Sequence, residues 1–321
     1  IEEIVQKALQ VGVTTNLAVN VFDNIADALR KDFRHPIPTG IVGLDGLLKG
    51  GLGRGELGVV LAPTGVGKTT LLTKFANAAF VSDFNVLQIV FEDNVDAIKR
   101  KHYTIWSEVT PDEQPDNEEE VTFKVIEAKQ RSKGDIKILK LVSGDVTISE
   151  IKSQIRKFRS EGFKIDLLVL DYIDCIAPER SSYGEEWKGE GAIMRSLESM
   201  TGEFDIAIWT ATQGNRESII TEIVTTNQMG GSIKKAQIGH VILSVGKTLE
   251  QKEHYLATLT LLKSRIGKDG VVFQNCTFDN EFLVIDTESQ NTLLGIEEKK
   301  VDDKRTRAAE AFKMRKELNK H

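Results

Sequence analysis

Short runs of apolar residues recur along the central part of the chain and alternate with segments of helical spacing. Runs this short and this apolar are typical of strands that are buried on both faces of a parallel sheet. The runs are LGVVL from Leu57, VLQIV from Val86, IKILKLV from Ile136, LLVL from Leu167, IAIWTATQ from Ile206, VILSV from Val241 and LATLTLL from Leu256. The alternation predicts an α/β fold in which helices flank a mostly parallel central sheet.

Helical spacing fills most of the segments between these runs. One helix is expected directly after Gly67, and a second one ends near Trp106. A third begins after Thr147, because Thr147 and Glu150 have the spacing of a capping box. The acidic segment TPDEQPDNEEE, from Thr110, is loop-like and is expected to be a solvated surface connection.

The two ends of the chain differ from this central pattern. IEEIVQKALQ, from Ile1, has an apolar helical face, and a second helix candidate covers residues 25–33. The segment after residue 294 is highly charged. We therefore divide the chain into N-terminal linker or docking helices (1–35), an α/β domain (36–294) and a charged tail (295–321). The sequence opens without an initiator Met, which allows for a further N-terminal portion.

Composition narrows the class of protein. The chain is 40% hydrophobic and 28% charged, which suits a globular protein with a substantial core. Its net charge is −6, so any contact with nucleic acid must come from a local basic surface. Its 2 cysteines argue against a disulfide framework or a cysteine-ligated metal. Because we find neither a signal peptide nor an apolar run of the roughly 20 residues that span a bilayer, we expect a cytoplasmic protein without a membrane partner.

The segment LAPTGVGKTT, from Leu61, carries candidate phosphate-binding chemistry. It fits the phosphate-loop pattern GxxxxGK[ST], except that Ala62 replaces the first glycine, which is tolerable if the backbone there does not need a positive φ. Its two later glycines let backbone N–H groups turn toward phosphate oxygens, and the next helix adds its positive N-terminal end. Lys68 is expected to reach the β- and γ-phosphates of ATP, and the Thr69 hydroxyl to ligate Mg²⁺. The predicted nucleotide-binding residues are Pro63, Thr64, Gly65, Val66, Gly67, Lys68, Thr69 and Thr70.

Polar residues at the ends of other predicted strands could complete this nucleotide site. Asp171 follows LLVL and is expected to organise the Mg²⁺ ion. Glu92 is the best candidate for the group that activates the attacking water, and its neighbour Asp93 competes for that role. Gln213 is expected to sense the γ-phosphate, and a plain amide at the edge of the sheet is the alternative. Asp174 is expected in a surface loop, with a role at the metal as the lesser alternative.

Two groups of basic residues follow predicted strands. Lys263 and Arg265 are two positions apart, so both side chains should lie on the same face of a strand end. Such a pair suits stabilisation of transition-state charge in the same subunit or a neighbouring one, although two cations at an exposed strand end are also commonplace. Arg216, Lys234 and Lys235 lie in a polar, glycine-containing loop. That composition suits contacts to the backbone phosphates of a nucleic acid.

Taken in order, these motifs resemble the RecA-like motor domain of hexameric DnaB-type replicative DNA helicases, most closely those of T-even phages. The resemblance covers about residues 38–286 and rests on the phosphate loop, VLQIVFED, IDLLVLDYID, IAIWTATQGNRES, GGSIKKAQIGHVILSV and LLKSRIGKDG. It implies a RecA-like P-loop NTPase core preceded by a short linker helix. It also implies ATP-driven translocation of a ring on single-stranded DNA, which unwinds the duplex, in the cytoplasm or, for a phage protein, in the host cytoplasm.

The resemblance also implies partners and roles for individual residues. The partners are single-stranded DNA, further copies of the chain in a hexamer, and primase or loader proteins. Lys263 and Arg265 resemble the pair that reaches into the adjacent subunit's site, and IEEIVQKALQ resembles the linker helix that docks on a neighbour. Family members usually carry acids after a similar GSI, where this chain has KKAQ. The remaining implied roles are phosphate binding for Lys68, Mg²⁺ binding for Thr69 and Asp171, the catalytic base for Glu92 and the γ-phosphate sensor for Gln213.

Two other functions fit the same fold. A RecA- or RadA-type recombinase or mediator would form filaments, but the position of Glu92 and the Lys263–Arg265 pair favour the helicase. A KaiC-like assembly protein would use ATP to control its oligomeric shape and would bind a protein partner. Its ATP hydrolysis would be indifferent to single-stranded DNA.

Overall fold

The computed structural model describes residues 20–30, 33–178, 186–214 and 237–287, with the backbone alone for residues 186–190. Outside the described residues lie the predicted opening helix, the segment after residue 287, and the predicted loop with Arg216, Lys234 and Lys235. The described strands are Leu57–Ala62 (β1), Val86–Val90 (β2), Ile136–Lys140 (β3), Leu167–Asp171 (β4), Ala207–Gln213 (β5), Val241–Gly246 (β6), Leu256–Ser264 (β7), Val271–Asp279 (β8) and Val284–Asp286 (β9).

These strands form one mixed sheet in the order β3-β2-β4-β5-β1-β6-β7-β8-β9. The first six strands in that order are parallel, and the last three are antiparallel to their neighbours. All seven apolar runs are strands, so the predicted mostly parallel α/β sheet is confirmed. Strands β8 and β9 were not predicted, because most of their residues are partly or fully exposed and they lack the apolar runs of the other strands.

Helices cover both faces of the sheet. One face carries a core built around the helix that follows the phosphate loop and around residues 37–52. The other face carries a second core, which includes apolar residues of the two long helices after β3 and β4. The described helices are Ile25–Ala28 (α1), Val42–Leu47 (α2), Lys68–Val81 (α3), Val95–Ser107 (α4), Glu118–Arg131 (α5), Ile148–Ser160 (α6), Glu186–Phe204 (α7) and Leu249–Glu253 (α8).

Two predictions about helix boundaries have opposite outcomes. The capping box is confirmed, since the Thr147 side chain accepts from the backbone of Glu150 and the Glu150 carboxylate accepts from the backbone of Thr147. The acidic segment is mostly exposed, as predicted, but the prediction of a loop is wrong for its end, because α5 begins inside it at Glu118. The last three residues of the segment, Glu118, Glu119 and Glu120, occupy the first helical turn, where negative charge is stabilised by the helix dipole. None of the described helices is long and apolar enough to cross a membrane.

A buried polar network joins α3, β2 and α4 below the carboxyl edge of the sheet. His102 of α4 lies with its Nε2 3.0 Å from Oε1 of Gln88 and its Nδ1 3.4 Å from Nδ2 of Asn77. The Gln88 amide in turn donates to Thr73 Oγ1 at 3.3 Å. Burial lowers the pKa of His102 from its usual value to about 4. The imidazole is therefore neutral near pH 7, and it can donate to Gln88 while accepting from Asn77.

Acid should destabilise the fold through His102. Its pKa is lower in the folded state, so the unfolded chain takes up the proton at a higher pH than the folded protein does. The stability that is present above about pH 7 is therefore lost as the pH falls toward 4. Between pH 7.5 and pH 5 we expect His102 to account for a loss of about 2 kcal/mol in unfolding free energy. Urea unfolding at both pH values, with His102→Gln as the comparison, measures this. The wild-type protein should lose more stability than the variant, and equal losses would contradict the assignment.

A candidate nucleotide site at the carboxyl edge of the sheet

A cavity of about 330 Å³ opens at the carboxyl edge of the sheet, where β1 passes through the phosphate loop into α3. Glu92, Asp171 and Gln213 line this cavity together with six residues of the predicted loop. Those six are Thr64, Gly65, Gly67, Lys68, Thr69 and Thr70. The structure thus brings together the side chains that the sequence placed on four separate strand ends.

The phosphate loop has the backbone that its sequence requires. Gly65 and Gly67 adopt φ values of 77° and 117°, which residues with a Cβ rarely adopt. Ala62, which replaces the first glycine of the pattern, is the fully buried last residue of β1. The residues with positive φ do not include Ala62, so the departure from the pattern needs no special conformation.

Two residues of the predicted binding stretch have other contacts. The side chain of Val66 is buried in the hydrophobic core beside α3, so only its backbone could meet a ligand. The carbonyl of Pro63 accepts a hydrogen bond from Lys68. Neither residue is part of the cavity lining.

Lys68 supplies a partly buried positive charge at the base of the loop. Its Nζ donates to the carbonyls of Ala62 and Pro63, at 3.3 Å each, and lies 5.6 Å from the ring centroid of Tyr172. Burial lowers the pKa of Lys68, and the carboxylates of Asp171, Asp174 and Glu92 oppose that shift. An ammonium group held in this way is a ready counter-charge for phosphate oxygens.

Asp171 and Thr69 provide the oxygen atoms that Mg²⁺ prefers. Asp171 is the last residue of β4, and burial raises the pKa of its carboxyl group. The Thr69 hydroxyl donates a hydrogen bond to this carboxylate, which partly offsets the shift. Mg²⁺ is usually held by one or two protein oxygens together with substrate phosphates and water, so this pair fits the ion that the sequence analysis implied.

Glu92 lies just past the end of β2, in the bend before α4. Its Oε1 accepts a hydrogen bond from the hydroxyl of Tyr172, with 3.3 Å between the two oxygens. The neighbouring acid, Asp93, forms an ion pair with Lys101 at 4.0 Å, and both of these side chains also line the cavity. The two acids therefore differ in their partners, Glu92 with a neutral donor and Asp93 with a cation.

Gln213 reaches the phosphate loop from the end of β5. Its Nε2 donates to Thr64 Oγ1 at 2.6 Å. Asp174 accepts from the Gln213 backbone N–H at 3.0 Å and from the Thr212 hydroxyl at 3.2 Å. Asp174 is exposed, as expected, and it fixes the strand end that carries Gln213.

Lys263 and Arg265 lie at the opposite edge of the sheet from the phosphate loop. Both donate to the carbonyl of Gln237, at 2.7 and 3.1 Å, so they lie on one face as predicted. The register makes Ser264 level with Val241, and Val241 level with Gly58 near the start of β1. The pair is thus about 13 Å from the level of the phosphate loop along the strands, and the structure does not bring it to the cavity of its own chain.

Three residues in the cavity were missed by the sequence analysis. Tyr172 directly follows Asp171, so its place next to a strand-end acid was a usable signal. Lys101 is in the first turns of α4, after Glu92 and Asp93, where any of several lysines could have reached the cavity. Asn280 comes from the turn between β8 and β9, which the sequence did not predict.

The chain is similar to proteins of one family. Residues 36–228 match the DnaB-like helicase C-terminal domain. The ATPase domain of G40P superposes with a TM-score of 0.67 at 15% identity, over 88% of this chain and 96% of that one. A structure of a DnaB-like replicative helicase and its interactions with primase gives 0.71 at 16% identity, over 88% and 70%. At these identities the two structures show the RecA-like fold alone. Among proteins with a curated description, none matches the chain.

Alanine at Gly67 should damage the phosphate loop. A Cβ there would lie 2.3 Å from Oδ1 of Asn280 and 2.8 Å from the ring of Phe278, at a φ that alanine rarely adopts. We expect Gly67→Ala to weaken binding of a fluorescent ATP analogue by about tenfold or more in an equilibrium titration. Gly144→Ala is the matched control, since Gly144 has a φ of 82° with open space around it. Equal affinities for both variants and the wild-type protein would rule out this role for Gly67.

Proposed function

Because the chain belongs to the DnaB-like helicase C-terminal domain family, we propose that it is the ATP-hydrolysing motor of a replicative DNA helicase. The observation that carries the proposal is the convergence of Lys68, Asp171, Glu92 and Gln213 on one cavity beside a phosphate loop. In this proposal the motor translocates on single-stranded DNA as a ring, expected to be a hexamer, and unwinds the duplex ahead of it.

The phosphate loop would bind the triphosphate. Its backbone N–H groups and the N-terminus of α3 favour negative charge, and Lys68 adds a full positive charge near the β- and γ-phosphates. Thr69 and Asp171 would hold Mg²⁺, which when bound offsets the negative charge that develops on the phosphates. The partly closed cavity strengthens these electrostatic interactions, because they act in a medium of lower dielectric than bulk water.

Glu92 would accept the proton of the attacking water, and Gln213 would detect the γ-phosphate. The amide of Gln213 already contacts the loop through Thr64, so a phosphate oxygen would compete for the same donor. The chain continues from Gln213 into the segment with Arg216, Lys234 and Lys235. We propose that this segment contacts the phosphates of single-stranded DNA, which would connect hydrolysis to movement.

The position of Lys263 and Arg265 supports a site shared between subunits. They are fixed at the edge of the sheet that faces away from their own phosphate loop. In a ring, that edge of one subunit could approach the phosphate loop of the next, where two cations would stabilise transition-state charge. The opening helix would dock on a neighbour and hold the ring together.

The proposal also includes the domain bounds, the site of action and the partner proteins. We propose residues 36–294 as the ATPase domain, which agrees with a family match that begins at residue 36, residues 1–35 as the linker and residues 295–321 as a charged tail. The closer likeness to T-even phage helicases, and cytoplasmic or host-cytoplasmic action, stay predictions from the motifs. Primase or a loader is proposed as a partner, and one similar structure is of a helicase with its interactions with primase.

Single-stranded DNA should stimulate ATP hydrolysis. The measurement compares the ATPase rate with and without single-stranded DNA, together with the particle mass from light scattering. We expect a several-fold increase with DNA, a mass that corresponds to a ring, and no hydrolysis by Lys68→Ala, which removes a full charge at the phosphates. Indifference to DNA would instead favour the KaiC-like alternative. Filaments in negative-stain images with an ATP analogue would favour the recombinase.

Arg265→Ala should abolish hydrolysis in the assembled protein, and mixing should partly restore it. An Arg265→Ala subunit keeps an intact phosphate loop, and a Lys68→Ala neighbour keeps an intact Arg265. If the site is shared, their junction is complete, so a mixture of the two inactive variants should recover activity. If Arg265 served its own chain, no site in the mixture would be complete. DNA-stimulated hydrolysis by Arg265→Ala alone would show that the assignment to the interface is wrong.

A further inference from the structure

One lysine holds the backbone on both sides of Glu92. Lys140 is the last residue of β3, and its Nζ donates to the carbonyl of Phe91 at 2.8 Å and to the carbonyl of Asp93 at 2.9 Å. The backbone between those two carbonyls contains the Cα atoms of Glu92 and Asp93. The ammonium group therefore fixes the peptide plane before Glu92 and the plane after Asp93, and so restrains the course of the bend that carries Glu92.

The carboxylate of Glu92 is held by a second residue from another strand. The Tyr172 hydroxyl donates to Glu92 Oε1 at 3.3 Å, and the Tyr172 ring lies over the ammonium group of Lys68. A phenol has one O–H group and an ionised carboxylate only accepts, so Tyr172 is the donor and Glu92 the acceptor in this contact. Tyr172 follows Asp171 directly, so it connects the base with the metal-binding end of the site.

We propose that Lys140 and Tyr172 are positioning residues for Glu92, an inference that rests on the proposed function. Lys140 sets the backbone of the bend, and Tyr172 sets the carboxylate. The Glu92 carboxylate needs such positioning because its side chain is exposed and has several rotatable bonds. A general base must lie within hydrogen-bond reach of the water that it deprotonates, and a displacement of about 1 Å can cost on the order of a hundredfold in rate.

Because of its position, Lys140 can be replaced without a direct effect on nucleotide binding or on the stability of the fold. Lys140 is exposed and does not line the cavity. The backbones of β2 and β3 already pair along their whole length, from Val86 with Ile136 to Val90 with Lys140. The loss of the ammonium group should therefore leave the sheet and the phosphate contacts intact and should act on the bend that carries Glu92.

Five variants, with Glu92→Gln as the inactive reference, test the proposal by steady-state ATPase kinetics with saturating single-stranded DNA. We expect Lys140→Met to lower kcat by about tenfold, with KM and the affinity for a fluorescent ATP analogue unchanged. Lys140→Arg should restore most of the rate, because a guanidinium group can also donate to two carbonyls. Tyr172→Phe should lower kcat several-fold. The matched control is Lys137→Met, since Lys137 is on the same strand but lies over the ring of Phe163, at 4.5 Å.

The outcomes separate the inference from the proposed function. If Lys140→Met and Tyr172→Phe keep the wild-type kcat while Glu92→Gln is inactive, the function stands and the positioning role is overturned. A Lys140→Met protein that loses nucleotide affinity and unfolds at a lower urea concentration would show a merely structural role, which also overturns it. So would a Lys140→Arg variant as slow as Lys140→Met. If the wild-type protein does not hydrolyse ATP, the proposed function fails, and the inference falls with it.

Discussion

The register of the parallel strands is the constraint on which the candidate site depends. Ala62 is level with Gln213, and Val90 is level with Asp171. The carboxyl edge of the sheet therefore carries the phosphate loop, the bend with Glu92 and the end of β5 at one level. Their side chains can meet there without long connections. Because these strands are buried on both faces, a slip of one residue would exchange the side chains of the two cores, and the hydrophobic packing prevents it.

The parts that the sequence predicts well are those with a local physical cause. Leu167 to Leu170 form a short apolar run, which favours a buried strand, and Thr147 with Glu150 can cap a helix whatever lies around them. Contacts between distant segments have no such signal. Asn280 reaches the phosphate loop through a hairpin of mixed polarity, and the contact of Lys140 with the bend depends on β3 pairing next to β2. The start of α5 was predicted as a loop, because glutamates are favoured both in a solvated loop and in the first turn of a helix.

The change from parallel to antiparallel pairing after β6 explains why the phosphate loop and the Lys263–Arg265 pair lie at opposite ends of the strands. A strand that continued the parallel order would have delivered Lys263 and Arg265 to the cavity of their own chain. Since β7 runs the other way, its end lies beside His240 and the start of β1, where the backbone of Arg265 donates to the His240 carbonyl. In the proposed ring each subunit then offers a phosphate loop on one side and a pair of cations on the other, so every junction is equivalent.

The network around His102 has a mechanical consequence. It ties α3, whose first residues belong to the phosphate loop, to β2, whose end leads to Glu92. Sliding one element past the other would leave buried donors and acceptors unpaired, at a cost of about 1–3 kcal/mol each. We expect this half of the site to behave as one stiff block through a reaction cycle. We expect more freedom in the side chain of Gln213, whose amide contacts the phosphate loop through one hydrogen bond to Thr64.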